Sequence, residues 1–354
     1  GNLIGTDVTG TAAIANNVGV LILSHDNLIG GPDPAAGNLI SGNLYDGIRL
    51  EADAGNNRIE GNLIGTDITG TAALGNETGI AMLSHGNVVG GGNPAARNVV
   101  SGNVGDGLRL EQGAGGNQIS GNFFGTDING TAALGNGGRG VNLNDAHGNT
   151  VGGGPGEGNV LSANHGGVAL VFTSSGNAVV GNMIGTDVTG TLPLGNVRSG
   201  VLVAREAGGN GIGGRADDVG NVIAFNEAGI RLTNSAGSGN AIERNSIFDN
   251  VALGIDIGGA GVTLNDVGDV DGGSNDSQNF PVLHTADGTG IMGMLNSTPG
   301  TEFYVEFFAN DVCDPLGFGE GHTFLGATIF LTDGLGDVWF TVPFVAPSGS
   351  FVTA

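Results

Sequence analysis

Two carboxylates, Glu111 and Asp145, are the side chains whose type and spacing suit acid–base chemistry. They fall on neighbouring segments of a repeat at closely matching offsets. Cleavage of a glycosidic bond needs two carboxyl groups about 5–10 Å apart, one to protonate the leaving oxygen and one to activate water or attack. Nearby stand groups able to hold sugar hydroxyls: Arg109, Asn142, Asn144 and His147, with Arg205 farther along. A structural reading competes. Arg49/Glu51 and Arg109/Glu111 recur in a repeated D-G-x-R-L-E motif, and an exposed ion pair across a strand contributes only about 0–1 kcal/mol. A catalytic site seldom duplicates itself in register. Polyuronate elimination with a lysine base is excluded, because all ten cationic side chains are arginine.

A second group with chemical capacity lies at Asn265–Asp276, N-D-V-G-D-V-D-G-G-S-N-D. Asp266, Asp269, Asp271, Asn275 and Asp276 offer oxygen ligands within a glycine-rich loop, the donor set calcium prefers. The segment lacks the bidentate Glu that closes an EF-hand loop, and a solvated acidic linker is the alternative. His25, His85 and His147 recur on every second turn, about 9.6 Å apart on sheet spacing, which suits corner residues better than a metal site.

Positioning these groups falls to a repeat. Gly1–Asp7, Gly61–Asp67, Gly121–Asp127 and Gly181–Asp187 all read G-N-x-x-G-T-D at a fixed 60-residue interval. Each interval resolves into two turns of about 30 residues, the mark of a stacked architecture. One Asn column runs from Asn27 through Asn57, Asn87 and Asn117 to Asn240. Another runs from Asn2 through Asn38, Asn62 and Asn98 to Asn245. Two residues after each Asn stands an apolar side chain, as at Ile59, Val89, Ile119, Ile64 and Phe124. A third strand alternates apolar and polar residues, with inward pairs such as Ile48/Leu50, Leu108/Leu110 and Ile255/Ile257, so one face is buried. Its outward positions include Arg49/Glu51, Ala81/Leu83, Arg109/Glu111 and Asn142/Asn144. Three short strands per turn cannot bury a face alone, whereas stacked turns share one core. The result is a parallel β-helix of about nine turns, roughly 40–45 Å long at ~4.8 Å per turn. Stacked Asn amides can hydrogen-bond along the column, and Asn tolerates a left-handed corner.

The N-x-I-x-G-N … G-I-x-L pattern resembles the repeat of secreted bacterial parallel β-helix proteins, related in shape to pectate lyases. G-T-D-x-T-G-T-x-x-L-G-N is similar to large extracellular proteins of the CSLREA-domain kind, and Gln278–Leu283, Q-N-F-P-V-L, resembles the same group. The resemblance covers residues 1–260 by repeat. It implies a right-handed coil and an extracellular or cell-surface setting. It implies no single activity, since one fold hosts many functions.

On every second turn a longer loop protrudes at Thr6–Asn16, Thr66–Asn76, Thr126–Asn136 and Thr186–Asn196. The Asp7, Asp67, Asp127 and Asp187 carboxylates, about 9.6 Å apart, are too distant to share one ion. Capping of the turn through local bonds is the favoured reading.

Glycine is 73 of 354 residues, without a collagen register, and aromatics are few. The formal net charge of −24 opposes nucleic-acid binding, which requires clustered cations. No apolar run reaches the ~20 residues of a membrane-spanning helix, so no membrane insertion is expected. Cys313 is the lone cysteine and has no disulfide partner within the chain. Residues 261–283 form the acidic glycine-rich junction. Residues 284–354 give five strands by alternation, the expected remains of a partial Ig-like β-sandwich. Gly1 falls in mid-repeat, which is expected of a piece of a longer chain.

The fold expected is therefore all-β: a right-handed parallel β-helix of nine ~30-residue turns at 1–260, the junction, and the sandwich module. Two functions follow. The first is an extracellular structural or adhesive β-solenoid presenting repeated loops and binding polysaccharide or a cell-surface glycan, with calcium at the junction. The second is a polysaccharide hydrolase or lyase working on the outer face. The near-identical repeats favour the first.

Overall fold

In the computed structural model, which describes residues 1–354 except Pro34, Ala260 and Leu316, the first 258 residues wind into three parallel sheets. The first sheet has nine two- or three-residue strands, from Leu3–Ile4 to Ser246–Phe248. The second has nine, from Val20–Ile22 to Ile255–Gly258. The third has eight, from Leu28–Gly30 to Ala241–Glu243. Each strand pairs with its counterpart one turn on, so Ile59 lies between Ile29 and Val89, and Leu108 between Ile80 and Val141. Like side chains stack on like, and a single core runs from Ile22 to Ile247, with Ile59, Val89, Ile119 and Phe124 fully buried. This is the parallel β-helix the periodicity predicts. Ala260, the expected last residue of the coil, lies outside the described residues.

The Asn columns are ladders. Asn57 Oδ1 accepts from Asn27 N at 2.9 Å and Nδ2 at 2.8 Å, and the same pair of bonds joins Asn38 to Asn62. A third ladder was not anticipated: Asn16, Asn43, Asn76, Asn103, Asn136, Asn164, Asn196, Asn226 and Asn250 are linked the same way. With backbone and side-chain donors both satisfied by the next rung, an amide can be fully buried at every corner. In the first column, left-handed backbone falls on the residue before each Asn: Asp26, Asn56, Gly86 and Gly116 stand there at φ 55–69°.

Two expectations fail near the C-terminal end. Ile255 is exposed, because the ninth turn contributes no strand to the third sheet among the described residues. In place of that strand a short left-handed turn, Ser274–Ser277, seats Asn275 on the first ladder: Asn275 Oδ1 accepts from Asn240 N at 2.9 Å. Among the described residues, the C-terminal module has six strands in two antiparallel three-stranded sheets. One strand, Val282–Asp287, begins inside the expected junction, and a bulge at Leu283/Thr285 hides its alternation. Ile291, Val305, Phe307, Phe340 and Val342 form the core between the two sheets.

Candidate functional site

The second sheet sets side chains at two outward columns. Along one, Arg49, Ala81, Arg109 and Asn142 are register partners turn by turn. Three residues earlier on the same turns stand Asp46, Thr78, Asp106 and Arg139. Between the lower turns lies a groove of about 430 Å³ lined by Val18, Tyr45, Asp46, Arg49, Glu77, Thr78 and Arg109.

Arg49 is held from both sides, its Nη1 3.2 Å from Asp46 Oδ2 and its Nε 2.6 Å from Glu51 Oε1. The bond from Glu51, then that from Asp46, keep its guanidinium pKa above the ordinary value against partial burial. Arg109 Nε sits 3.2 Å from Glu111 Oε1, within ion-pair range but off the line of a hydrogen bond, so that buried N–H has no hydrogen-bond acceptor. One turn on, Asn142 gives its amide N–H to Asp106 at 2.9 Å and leaves its own Oδ1 buried and unpartnered. Asp106 also accepts from Arg139 N at 2.7 Å. Burial draws the Arg139 guanidinium pKa down, while the charge of Asp106 opposes the shift. Tyr45, one of two tyrosines, is 60% exposed beside this array. Oriented guanidinium, carboxylate and hydroxyl groups beside an open aromatic face suit a polyhydroxylated ligand.

The sequence-nominated residues divide. Arg109, Glu111 and Asn142 lie on this face, and Asn144 follows on the Asn142 strand, in register with Val171. Asp145 turns the corner at φ 53°. Its carboxylate accepts from the Thr173 hydroxyl and lies 3.5 Å from His147 Nε2. His147 Nδ1 meets Ser175 Oγ at 3.0 Å, so the ring is tied to its corner. Arg205 lies over the Phe172 ring at 4.7 Å, on a later turn. Glu111 and Asp145 are thus engaged separately, one by Arg109 and the other by Thr173 and His147. Tyr45, Asp46, Glu77 and Thr78 were missed. Asp46 heads the D-G-x-R-L-E motif, and Tyr45 precedes it in a chain poor in aromatics, which is the signal that points to them.

The protruding loops are capped by their aspartates. Asp127 Oδ1 accepts from Thr131 N at 2.9 Å and Ala132 N at 3.0 Å, and Asn129 bonds Oδ2. Desolvation pushes this carboxyl up, but those donors outweigh it and its pKa lies below the ordinary value. Successive loops also join directly, Ile68 N to Gly10 O and Ile128 N to Gly70 O, each at 3.0 Å. They make one ridge along the column. A second groove of about 380 Å³ lies under it between Leu39, Leu63, Val99, Ile68, Ile128 and Arg97. Arg97 is already committed there to Gly121 O and to the Phe123 ring.

At the junction, carboxylate oxygens of Asp266, Asp269 and Asp271 lie within 4.8 Å of one another. Asp269 accepts from Asn279 N at 3.0 Å and from Ser297 Oγ at 2.5 Å, while Asp266 Oδ1 is buried without a partner. Asn275 and Asp276 are turned elsewhere, to Asn240 and to Ser238 Oγ.

The chain matches no family model and no curated protein. Among solved structures it is similar to the Dettilon tailspike protein gp208, at 15% identity over 99% of this chain and 84% of that one, with a TM-score of 0.28. At that score the likeness carries no argument, and the parallel β-helix rests on the three sheets themselves. Among the described residues, no helix is long and apolar enough to cross a membrane.

Proposed function

We propose that this chain is an adhesive β-solenoid that binds a glycan along the outer face of its second sheet. The observation that carries the proposal is the groove in which exposed Tyr45 stands beside Arg49 and Arg109, both held by acidic partners. Tyr45 offers a stacking face for a sugar ring. The arginines and Asp46, Glu77 and Thr78 offer donors and acceptors for hydroxyls. Ion pairing leaves the groove close to charge balance, so a neutral polysaccharide fits better than a polyanion, which the net charge of −24 also repels. The resemblance of the protruding loops to those of large secreted proteins supports an extracellular or cell-surface setting.

Binding without cleavage is the reading the carboxylates support, since Glu111 and Asp145 each have their own partners. A glycan array followed by titration calorimetry tests it. Retained binding with no release of reducing ends supports adhesion. Reducing-end release abolished by Glu111→Gln or Asp145→Asn supports the hydrolase instead, and loss of neither binding nor cleavage in Tyr45→Ala removes the groove from the function.

Calcium is part of the same proposal. Asp266, Asp269 and Asp271 supply three hard oxygen donors where the β-helix meets the C-terminal module. An ion there would neutralise converging charges and fix the junction.

A further inference from the structure

A β-helix must end, and its last turn leaves three open strand edges and three ladders without a next rung. The first ladder is closed by Asn275. The third is closed by a residue of another kind: Asn250 donates its Nδ2–H to Glu320 Oε1 at 2.9 Å and its backbone N–H to Glu320 Oε2 at 3.2 Å. Glu320 stands where the Asn of a tenth turn would be. Its neighbours complete the closure. Ile247 and Gly321 exchange two backbone bonds of 2.8 and 3.0 Å, Ser246 Oγ donates to His322 O, and the His322 ring packs on Phe248 at 4.1 Å. Beside it, Glu306 accepts from Arg244 N at 2.8 Å.

We propose that the C-terminal module is a proton-controlled cap, with Glu320 as its latch. An amide oxygen in this position carries no charge, and neither does a protonated carboxyl, whose carbonyl oxygen still accepts from Asn250. A carboxylate, by contrast, holds its charge half-buried near Asp249 of the β-helix turn and Asp314 of its own segment. The other titratable group against this contact is His322. Around Glu306 stand Arg244, Arg215, Glu243 and Tyr304.

Burial, with the charges of Asp314 and Asp249, raises the Glu320 pKa to about 7, against the opposing pull of the Asn250 bonds. Burial raises Glu306 as well. The sign follows. Docked Glu320 keeps a proton that released Glu320 has lost, so the contribution is complete below pH ~4.5 and falls as pH rises through about 7. The cap holds in mild acid and loosens at neutral pH.

Hydrogen exchange on the whole chain at pH 5 and pH 8, corrected for intrinsic rates, reads the opening at Ile247, Asn250 and Gly321. The expected result is an opening constant about tenfold to a hundredfold larger at pH 8, the factor discounted for partial solvent access. Glu320→Gln keeps an uncharged acceptor and is expected to remove most of the pH dependence, leaving the smaller part that Glu306 carries. Asp249→Asn, compatible with that residue's φ of 54°, is expected to shrink the response and end it at lower pH, because Asp249 is one of the charges that raise Glu320. Wild-type protection that does not change with pH overturns the proposal. So does a pH response that survives Glu320→Gln and vanishes in His322→Phe.

Discussion

Arg49 and Arg109 are the rungs immediately below and above Ala81, which is fully buried although its side chain points away from the core. Long guanidinium stems lie over the small residue between them and make the wall of the groove. Both arginines are half-buried ion-pair members, so their removal is read on binding and on stability side by side. Arg49→Ala with Arg109→Ala is expected to lower unfolding free energy by about 1–3 kcal/mol, because buried Asp46 loses its partner and Ala81 its cover. Glycan affinity is expected to fall more than tenfold, since each hydrogen bond from a charged group contributes about 1.5–3 kcal/mol. Calorimetry beside urea denaturation checks both halves.

Within the ladders the stakes are higher. Asn103 Oδ1 accepts from Asn76 N at 3.2 Å and Nδ2 at 3.1 Å, all of it buried. Asn103→Ala strands those donors and is expected to destabilise the chain by about 2–4 kcal/mol, at roughly 1–3 kcal/mol per buried unpaired group. Asn16→Ala, at the exposed start of the same ladder, is expected to stay under about 1 kcal/mol. Denaturant midpoints of the two variants give the comparison.

Two of the three ladders were legible because their Asn residues directly open strands with an apolar residue two places on. The third was hidden because its Asn residues follow strands and loops instead of opening strands. Its uneven spacing is no greater than that of the second ladder, 36 residues from Asn2 to Asn38 and 24 from Asn38 to Asn62. Asn16 to Asn43 is 27 residues, Asn43 to Asn76 is 33, and Asn226 to Asn250 is 24, because the protruding loops lengthen alternate turns. Four of its nine members, Asn16, Asn76, Asn136 and Asn196, also end those loops and look like turn residues. The ladder closures lie farther out of reach: Asn240 finds Asn275 at 35 residues and Asn250 finds Glu320 at 70. No local pattern announces a carboxylate standing in for an amide. On the candidate face, Arg109, Glu111 and Asn142 came from alternation, while Tyr45 and Thr78 depend on where the strand entry loops bend.

Acid should act through the loop ridge. In Asp67, Asp127 and Asp187, desolvation raises the pKa but loop donors outweigh it, so all three lie below the ordinary value. A carboxylate favoured in the folded state contributes stability above its unfolded pKa of about 4 and loses it as pH falls through the lower folded value. Thermal melting is expected to drop below pH ~4. In the triple Asp→Asn variant at these positions that dependence is expected to flatten, with a lower melting temperature at pH 7.

Calcium at Asp266, Asp269 and Asp271 predicts a concentration-dependent rise in melting temperature. An ion at a hundred times its Kd adds about 2.7 kcal/mol to the unit that binds it. Chelation is expected to reverse the rise, and Asp271→Asn to remove it. An unchanged melting curve across the titration leaves the three carboxylates as a solvated acidic loop.

Backbone fit makes the sharpest demand at Gly125. Its φ is 87°, and a Cβ there would fall 2.2 Å from Ser162 O and 2.3 Å from Asn164 Oδ1, a ladder rung. Those atoms belong to the next turn and cannot retreat without shifting it, so Gly125→Ala combines left-handed strain with a backbone clash. A loss of several kcal/mol is expected, of the size seen when core packing or a buried network is broken. Gly154→Ala provides the control: nothing lies within 4 Å of its added methyl and its φ needs no glycine. Equal melting temperatures for the two variants would mean that adjacent turns do not stack as tightly as the registered strands place them.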